Sequence, residues 1–258
     1  MKHKPFDLEA GTTQFYVDVD YYDHEFKNRT QDVHWYAQQY IDADGPVLEV
    51  AVGSGRIALK AVKHGASVVG IDVSPAMIEQ AERYRSALPD AMAENLELAV
   101  ADMRDFDLGR TFSLITCPFN AFMHMYTIDD AQRCLQAMRR HLAPGGRLIC
   151  DILTPDFEYL SRSPYKRFPG IRFKHPTHGG YYRYSEQSAY DPISQLNQMW
   201  LHYEREDADC DGPESFCIQL SHRYFFPQEM KALLQHNGFV LEALYGDFEE
   251  EVLTPDAE

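Results

Sequence analysis

The stretch PVLEVAVGSGRIALKAVKHGASVVGID, residues 46–72, decides the fold of this chain. An apolar run ends in Gly53-Ser54-Gly55, a helical pattern follows, and a second apolar run stops at Asp72. This order predicts a strand, a glycine turn, a helix and a second parallel strand, which form one βαβ unit. Glycines let the backbone approach a ligand, and an acid at the strand tip can accept hydrogen bonds from a ribose diol. The stretch therefore predicts a nucleotide-type cofactor site.

Composition and charge narrow the class of protein. The chain has 258 residues, of which 45% are hydrophobic, and a formal net charge of −16. That length suits one large α/β domain or a domain with a sizeable insertion. The negative charge repels nucleic acid over most of the surface, and the nearest basic stretch, residues 162–174, is interpreted as a solvated loop. We therefore predict a small-molecule partner and no nucleic-acid binding.

Three features favour a cytoplasmic location. The sequence has no apolar run of 18 or more residues, so no transmembrane helix and no membrane partner are expected. Its start, MKHKPFDLEAG, lacks the apolar core of a signal peptide. The five cysteines form no Cys-x-x-Cys pair, which is typical of reduced thiols. The oligomeric state stays open, with a homodimer as one option.

Apolar runs and helical patterns continue to alternate after Asp72. The predicted elements are helices at 76–88, 128–142 and 227–236 and strands at 96–100, 112–117, 147–152 and 239–245. Strands alternating with helices predict an α/β fold, a doubly wound Rossmann-like sheet that we expect to be seven-stranded and mostly parallel.

Between residues 155 and 218 the pattern changes to period two. Runs at 181–190, 196–206 and 215–226 predict an antiparallel β layer, inserted near the strand ends and placed over the ligand cleft. We therefore divide the chain into an N-terminal helical lid segment (1–45), a cofactor-binding domain (46–154 and 219–248) and an inserted substrate roof (155–218).

The glycine turn alone leaves two cofactors open. From Gly53 it reads Gly-Ser-Gly-Arg-Ile-Ala, and with an acid about 20 residues later it fits the pattern of NAD-dependent oxidoreductases. Glu49 argues against that alternative, because it stands inside strand one shortly before the turn. A buried carboxylate is costly there unless it meets a ligand cation or several N–H groups.

The motifs as a set resemble the class I S-adenosylmethionine-dependent methyltransferases of the small-molecule type. In that family strand one runs into an acidic-x-Gly-x-Gly-x-Gly loop beneath the methionine moiety; here the match runs from Glu49 to Arg56, and Ala51 replaces the first glycine. The resemblance implies that Asp72 binds both ribose hydroxyls and that Asp102 accepts from the adenine amino group, with Met103 beside the ring. It covers residues 44–152 and 219–248.

This resemblance implies S-adenosyl-L-methionine as the cofactor and S-adenosyl-L-homocysteine as its product. The residues expected to bind it are Tyr22, Glu49, Ala51, Gly53, Gly55, Arg56, Asp72, Val73, Met77, Asp102, Met103, Pro118 and Phe119. Pro118-Phe119-Asn120 follows strand four, where the family places groups that touch both cofactor and acceptor. The motifs of amino-methylating nucleic-acid enzymes and of cytosine carbon-5 methylation do not occur there.

The chemistry of methyl transfer determines which further residues are expected on the acceptor side. In-line displacement from a sulfonium needs alignment and desolvation more than a strong nucleophile. His124 is the first candidate base, because it follows strand four and can titrate near neutral pH; a helix-start residue bonded to backbone is the alternative. Asn120 is expected to position the acceptor, and Tyr21, His222 and Tyr224 to line its pocket, with core packing as their alternative. No cluster of His, Cys and Asp has metal spacing, so no metal is predicted.

Three functional hypotheses remain. The first is methyl transfer to N or O of a small metabolite, and it is favoured by the ordered motifs and the acidic surface. The second is an NAD-dependent oxidoreductase, and the third is a non-catalytic, cofactor-binding partner protein. Binding of S-adenosylhomocysteine separates the first from the second, and methylation of a metabolite panel separates the first from the third.

Overall fold

The computed structural model describes residues 6–207 and 211–254. The chain divides into two compact units, each containing one sheet. The parallel-sheet unit comprises Asn28–Thr154 and Phe225–Glu258, and the antiparallel-sheet unit comprises Met1–Lys27 and Pro155–Tyr224. The sequence analysis placed domain boundaries after residues 45, 154 and 218. These boundaries stay predictions.

The elements are numbered along the chain. The strands are β1 (Val47–Val50), β2 (Val68–Asp72), β3 (Leu96–Val100), β4 (Phe112–Cys117), β5 (Leu142–Cys150), β6 (Phe168–Lys174), β7 (Tyr181–Asp191), β8 (Leu196–Arg205) and β9 (Ser215–Arg223). The α-helices are α1 (Leu8–Thr13), α2 (Val19–Phe26), α3 (Gln31–Ile41), α4 (Ala58–Val62), α5 (Pro75–Ser86), α6 (Asp90–Ala93), α7 (Ile128–Arg140), α8 (Phe157–Leu160) and α9 (Pro227–His236). No helix among the described residues is long and apolar enough to cross a membrane.

The parallel sheet has the strand order β3-β2-β1-β4-β5, and every neighbouring pair is parallel. All four residues of β1 are buried, as expected for a central strand covered on both faces. One side packs against α3 and α4 through residues such as Tyr36 and Ala61, and the other against α7 and α9 through residues such as Leu135 and Leu233. The doubly wound α/β fold predicted from the sequence is confirmed.

Local capping fixes where the helices after the strands begin. The Ser74 side chain accepts a hydrogen bond from the Met77 N–H at 3.3 Å, and Pro75 occupies the first helical position. The Thr127 hydroxyl accepts from the Asp130 N–H at 3.0 Å in the same way. These caps fix the start of α5 just after β2 and the start of α7 after the turn that follows β4.

The parallel sheet contains five described strands rather than the predicted seven. β9 pairs in the antiparallel sheet, and residues 239–245, predicted as a closing strand, form no ladder. Their one described β-bridge joins Tyr245 to Val252, and Val240 is 86% exposed. An apolar alternation predicts a strand only where a neighbouring strand is available to pair with it, and here none pairs with this segment.

The antiparallel sheet has the order β6-β7-β8-β9, one strand more than the sequence predicted. The extra strand is β6, which the sequence analysis assigned to a solvated loop. The basic side chains in and before it pair with acids of the same unit: Arg167 Nη1 lies 2.9 Å from Glu204 Oε1, and Arg172 Nε lies 2.7 Å from Glu206 Oε2. β6 lies at the edge of the sheet and is largely exposed, so it lacks the alternation that identifies a half-buried strand.

Candidate active site

A glycine loop follows β1 and turns three residues into the left-handed region. Ala51, Gly53 and Gly55 have φ angles of 57°, 58° and 87°. A Cβ added at Gly53 would meet no atom within 4 Å, so the space beside this backbone is open to a ligand. A Cβ at Gly55 would lie 3.1 Å from Leu59 Cδ1, so the chain packs closely on that side. The loop therefore has one open face and one packed face.

Asp72, at the end of β2, is hydrogen-bonded to this loop. Its Oδ2 accepts the Gly53 N–H at 2.9 Å, and its Oδ1 accepts the Ser74 N–H at 2.8 Å. Burial raises the pKa of the Asp72 carboxyl, and these two N–H donors act against that rise. The carboxylate is thus held at the open face of the loop, with its remaining lone pairs available to a ligand hydroxyl.

Glu49 is the most unusual residue of the site. It lies inside β1, opposite Gly70 of β2 and Thr116 of β4, and only 2% of it is exposed. Burial raises the pKa of the Glu49 carboxyl to about 8, although the Tyr40 hydroxyl and Arg56 favour its charged form. Its Oε2 atom has no hydrogen-bond partner among the described residues. Because an unpaired buried oxygen is costly, this atom indicates a site for a ligand donor.

Arg56 joins the loop to the start of α3. Its guanidinium binds Asp32 through two hydrogen bonds of 3.0 and 2.6 Å, and a third reaches the carbonyl of Arg29 at 2.8 Å. The same guanidinium lies 4.8 Å from the ring centroid of Phe119, within the range of a cation–π contact. The sequence analysis did not select Asp32. Its pairing with Arg56 has no local sequence signal, because the partners lie on different elements.

The turn after β4 is held by a carboxylate that the sequence analysis did not select. Phe119 and Asn120 have φ angles of 58° and 63°, a conformation that costs a non-glycine residue about 1–2 kcal/mol. Asp151, just after β5, accepts their N–H groups at 2.8 and 3.3 Å, and the Tyr36 hydroxyl donates to it at 2.7 Å. Asp151 therefore fixes a strained turn at the carboxyl edge of the sheet. It lies at the end of the strand predicted over residues 147–152, so the reasoning that selected Asp72 could also have found it.

Comparisons with known proteins identify this arrangement. A family described as "Methyltransferase domain" matches residues 47–146. These residues form a methyltransferase domain. The match confirms, for these residues, the resemblance to methyltransferases that the sequence predicted.

Individual relatives agree at the level of this domain. A dTDP-4-amino-2,3,4,6-tetradeoxy-D-glucose N,N-dimethyltransferase from Saccharopolyspora spinosa is 39% identical over 105 residues, which is 41% of this chain and 39% of that protein. A dTDP-3-amino-3,4,6-trideoxy-alpha-D-glucopyranose N,N-dimethyltransferase from Streptomyces venezuelae is 31% identical over 105 residues, 41% of each chain. The chain thus spans about two fifths of the length of these curated relatives.

Solved structures show the same fold over more of the chain. The CcbJ methyltransferase from Streptomyces caelestis has a TM-score of 0.73 at 21% identity, covering 88% of this chain and 86% of that one. None of these three relatives is an oxidoreductase, so they lend the NAD alternative no support.

Within the methyltransferase domain, Asp102 and Met103 lie just after β3. Arg104 binds both oxygens of Asp102 at 3.0 Å through Nε and reaches Oδ2 at 2.6 Å through Nη2. This guanidinium lowers the pKa of the Asp102 carboxyl, so the group is an ionised acceptor at neutral pH. Met103 is partly buried and packs against the core beside it.

The other predicted cofactor residues differ in exposure. Val73 is 52% exposed after β2, whereas Met77 is only 1% exposed and packs in the interior. Pro118 is buried, and Phe119 is half-buried beneath Arg56 and Arg29. The structure therefore brings the glycine loop, Asp72 and the turn after β4 to one edge of the sheet, and it places Met77 away from the surface.

His124, the candidate base, ends a short 3-10 helix over Ala121–His124. Its ring is half-buried, and Nδ1 lies 3.3 Å from the Tyr126 hydroxyl. Asn120, the candidate positioning residue, is the left-handed residue immediately before this helix. Both follow β4 in the same unit as the cofactor residues.

The remaining predicted residues lie in the antiparallel-sheet unit. Tyr21 is buried, with its hydroxyl 3.1 Å from that of Tyr203, and Tyr22 packs against Phe26 at a centroid distance of 4.9 Å. Burial lowers the pKa of His222 to about 4, and Tyr224 is buried with its ring edge-on to another tyrosine. The aromatic packing of the three tyrosines is that of core residues, and the roles of all four residues toward cofactor and acceptor stay predictions.

Proposed function

We propose that this protein transfers a methyl group from S-adenosyl-L-methionine to an amino nitrogen of a small molecule. The observation that carries the proposal is the unpartnered Oε2 of buried Glu49, which adjoins a glycine loop with an open face in a methyltransferase domain. A ligand ammonium group, such as that of a methionine moiety, supplies the donor that this oxygen lacks.

The residues present fit the cofactor. Glu49 would bind its ammonium group, Asp72 its ribose hydroxyls, and the ionised Asp102 its adenine amino group. When bound, S-adenosyl-L-methionine supplies an electrophilic methyl group on a sulfonium. The chain contributes the walls around that group: the left-handed turn at Phe119 and Asn120, fixed by Asp151, sets one side and limits access of water.

An amino acceptor is favoured over a hydroxyl by the matched relatives, two of which are named as N,N-dimethyltransferases of amino sugars. An amine is mostly protonated at neutral pH and must lose one proton before its lone pair can attack. We assign this proton to Nε2 of His124, while Nδ1 faces the Tyr126 hydroxyl at 3.3 Å. By this proposal His124 is needed for turnover and not for cofactor binding.

The remaining parts of the proposal concern partners and location. The net charge of −16 supports a small-molecule acceptor rather than nucleic acid. Cys117, Cys134 and Cys150 are free thiols, which supports the reducing cytoplasm as the location. The homodimer stays an option that sedimentation can test.

Calorimetric titration with S-adenosylhomocysteine tests the cofactor site. The wild-type chain should bind the compound, and Asp72→Ala should bind it at least tenfold more weakly, since it loses the acceptor at the loop. No binding to the wild type, or equal binding to both, would overturn the assignment.

Turnover tests the reaction. Incubation with S-adenosyl-L-methionine and a panel of amino-sugar nucleotides, simple amines, sugars and phenols should yield methylated amines. His124→Asn should lower kcat on the order of 100-fold while leaving S-adenosylhomocysteine affinity unchanged, with Tyr126→Phe as the milder neighbouring variant. Methylation confined to hydroxyl acceptors would overturn the choice of nitrogen. Cofactor binding without methylation of any acceptor would favour the non-catalytic alternative.

A further inference from the structure

The turn between β6 and β7 carries two histidines that the proposed methyl transfer does not use. It reads His175-Pro176-Thr177-His178 and lies wholly within the antiparallel-sheet unit. The His175 N–H donates to the Gly180 carbonyl at 2.9 Å, and the Gly179 N–H donates to the His175 carbonyl at 2.9 Å. These reciprocal hydrogen bonds close the turn and hold both histidines on a fixed backbone.

Asp18, at the start of α2 in the same unit, completes a compact group with these histidines. One potential ligand atom from each of Asp18, His175 and His178 lies within 4.8 Å of the other two. Across residues 6–207 and 211–254, this is the one group of three or more His, Cys, Asp or Glu side chains arranged closely enough to hold a metal ion. Zn²⁺ ligands at about 2.0–2.2 Å from the ion lie about 3–4 Å apart, so binding would require only small side-chain rotations.

The carboxylate is already oriented toward the turn. Asp18 Oδ1 accepts the Tyr21 N–H at 2.9 Å, as the N-cap of α2, and also the Thr177 hydroxyl at 2.8 Å. Thr177 stands between the two histidines in sequence, so this contact links the carboxylate to the turn itself. Both hydrogen bonds use Oδ1, and Oδ2 makes none among the described residues.

The two imidazole rings have a geometry and environment suited to ligation. They stack with centroids 4.3 Å apart, and Tyr21 stacks on the other ring face of His175 at 4.9 Å. His175 is 1% exposed, whereas His178 and Asp18 are half-buried and open to solvent on one side. The His178 N–H lies 3.3 Å from His175 Nδ1, a long hydrogen bond that ligation can replace.

We propose that Asp18, His175 and His178 form a binding site for a first-row divalent transition metal, best matched by Zn²⁺. Two imidazole nitrogens and one carboxylate oxygen suit Zn²⁺ and its neighbours, whereas Mg²⁺ and Ca²⁺ prefer oxygen ligands alone. Water from the open side would complete a tetrahedral set. The ion would join the start of α2 to the β6–β7 turn, two parts of the antiparallel-sheet unit that are distant in sequence. This proposal replaces the prediction that the chain has no metal, which examined spacing along the sequence alone.

The test titrates the full-length, chelator-treated protein with ZnCl₂ by calorimetry and follows thermal unfolding. The wild type should bind one Zn²⁺ per chain at micromolar concentration or below, and its Tm should rise, while MgCl₂ at the same concentration should have no effect. Asp18→Asn, which keeps an N-cap, and His178→Gln, which spares buried His175, should each weaken Zn²⁺ binding at least tenfold. His64→Gln, an exposed histidine of the parallel-sheet unit, serves as the matched control and should bind like the wild type.

Co²⁺ supplies a second measurement that does not depend on stability. Wild-type protein with one equivalent of CoCl₂ should develop the visible absorption of a four-coordinate site, and both ligand variants should lose it. Equal Zn²⁺ affinity in the wild type, Asp18→Asn and His178→Gln, or no saturable Zn²⁺ site in the wild type, would overturn the proposal.

Discussion

Glu49 in β1 and Asp151 after β5 are both carboxylic acids near the carboxyl edge of the parallel sheet, Glu49 buried and Asp151 half-buried, yet their hydrogen-bond partners differ. Asp151 accepts three hydrogen bonds, from the Tyr36 hydroxyl and the N–H groups of Phe119 and Asn120. Glu49 leaves Oε2 with no partner among the described residues, and burial raises its pKa to about 8. A satisfied carboxylate contributes to the fold, whereas an unsatisfied one indicates a ligand. We therefore regard Asp151 as a positioning residue and Glu49 as a binding residue.

Asp151→Ala should have the largest effect of the variants considered. It leaves two half-buried N–H groups and the hydroxyl of buried Tyr36 unpaired and releases a left-handed turn, so the free energy of unfolding should fall by about 3–4 kcal/mol. Urea unfolding measures this loss. Asp151→Asn, which keeps one acceptor oxygen, should lose about half as much, and the exposed Asp129→Ala should change stability by less than about 0.5 kcal/mol. A loss below about 1 kcal/mol for Asp151→Ala would contradict its assigned role.

Glu49→Gln should separate binding from stability. The variant removes the charge that meets the ligand ammonium, so S-adenosylhomocysteine affinity should fall by about 2 kcal/mol, roughly 30-fold. Unfolding of the ligand-free variant should show no loss of stability at pH 8, because glutamine keeps an acceptor oxygen for the Tyr40 hydroxyl and carries no charge that burial penalises. If the variant instead binds normally and unfolds easily, Glu49 is structural, and the contrast with Asp151 fails.

The pH dependence of stability gives a further test of Glu49. Its folded-state pKa is raised to about 8, so the folded protein binds a proton that the unfolded chain releases near pH 4.5. This stabilisation is complete below that lower pH and is lost as pH rises through about 8. The unfolding free energy of the wild type, measured relative to Glu49→Gln, should decline by at most about 1.4 kcal/mol per pH unit across this window. Parallel pH curves for the two proteins would contradict the raised pKa.

Ala51→Gly should change the free energy of unfolding least, and the change should be an increase. Ala51 has a φ angle of 57°, so glycine relieves about 1–2 kcal/mol of backbone strain in the folded state. Glycine also raises the conformational entropy of the unfolded chain, which offsets part of this stabilisation. We expect a net stabilisation of about 0.5–1 kcal/mol in urea unfolding. Ala76→Gly, at a helical position in α5, should lower the free energy of unfolding by a similar amount. If both variants are less stable than the wild type, the inferred strain at Ala51 is wrong.

The fold was predictable where burial is continuous. β3, β4 and α9 begin and end where the sequence predicted, because uninterrupted apolar runs and a helical stripe ending in Asn-Gly identify them. β6 was missed because an exposed edge strand carries no such pattern. Residues 239–245 were predicted wrongly as a strand, because the alternation of apolar residues does not indicate whether another strand pairs with them.

Sequence reasoning selected candidate site residues where an acid stands at a telling place in the predicted sheet. Asp72 and Asp102 were selected at the ends of strands and Glu49 inside strand one, and their binding roles stay predictions. The partners that hold the site were not found, because Asp32–Arg56 and Tyr36–Asp151 are formed by residues far apart in sequence and leave no local pattern. The Asp18, His175 and His178 group escaped detection for the same reason.

Proton release on cofactor binding tests the central claim most directly. If the ligand ammonium ionises Glu49, S-adenosylhomocysteine binding at pH 7 should release close to one proton, about 0.9 from a carboxyl with a pKa of about 8. Calorimetry in buffers of different ionisation enthalpy measures this number for the wild type and for Glu49→Gln. The account predicts that the wild type releases nearly one proton more than the variant. Equal proton release from both proteins, or the absence of binding to the wild type, would contradict it.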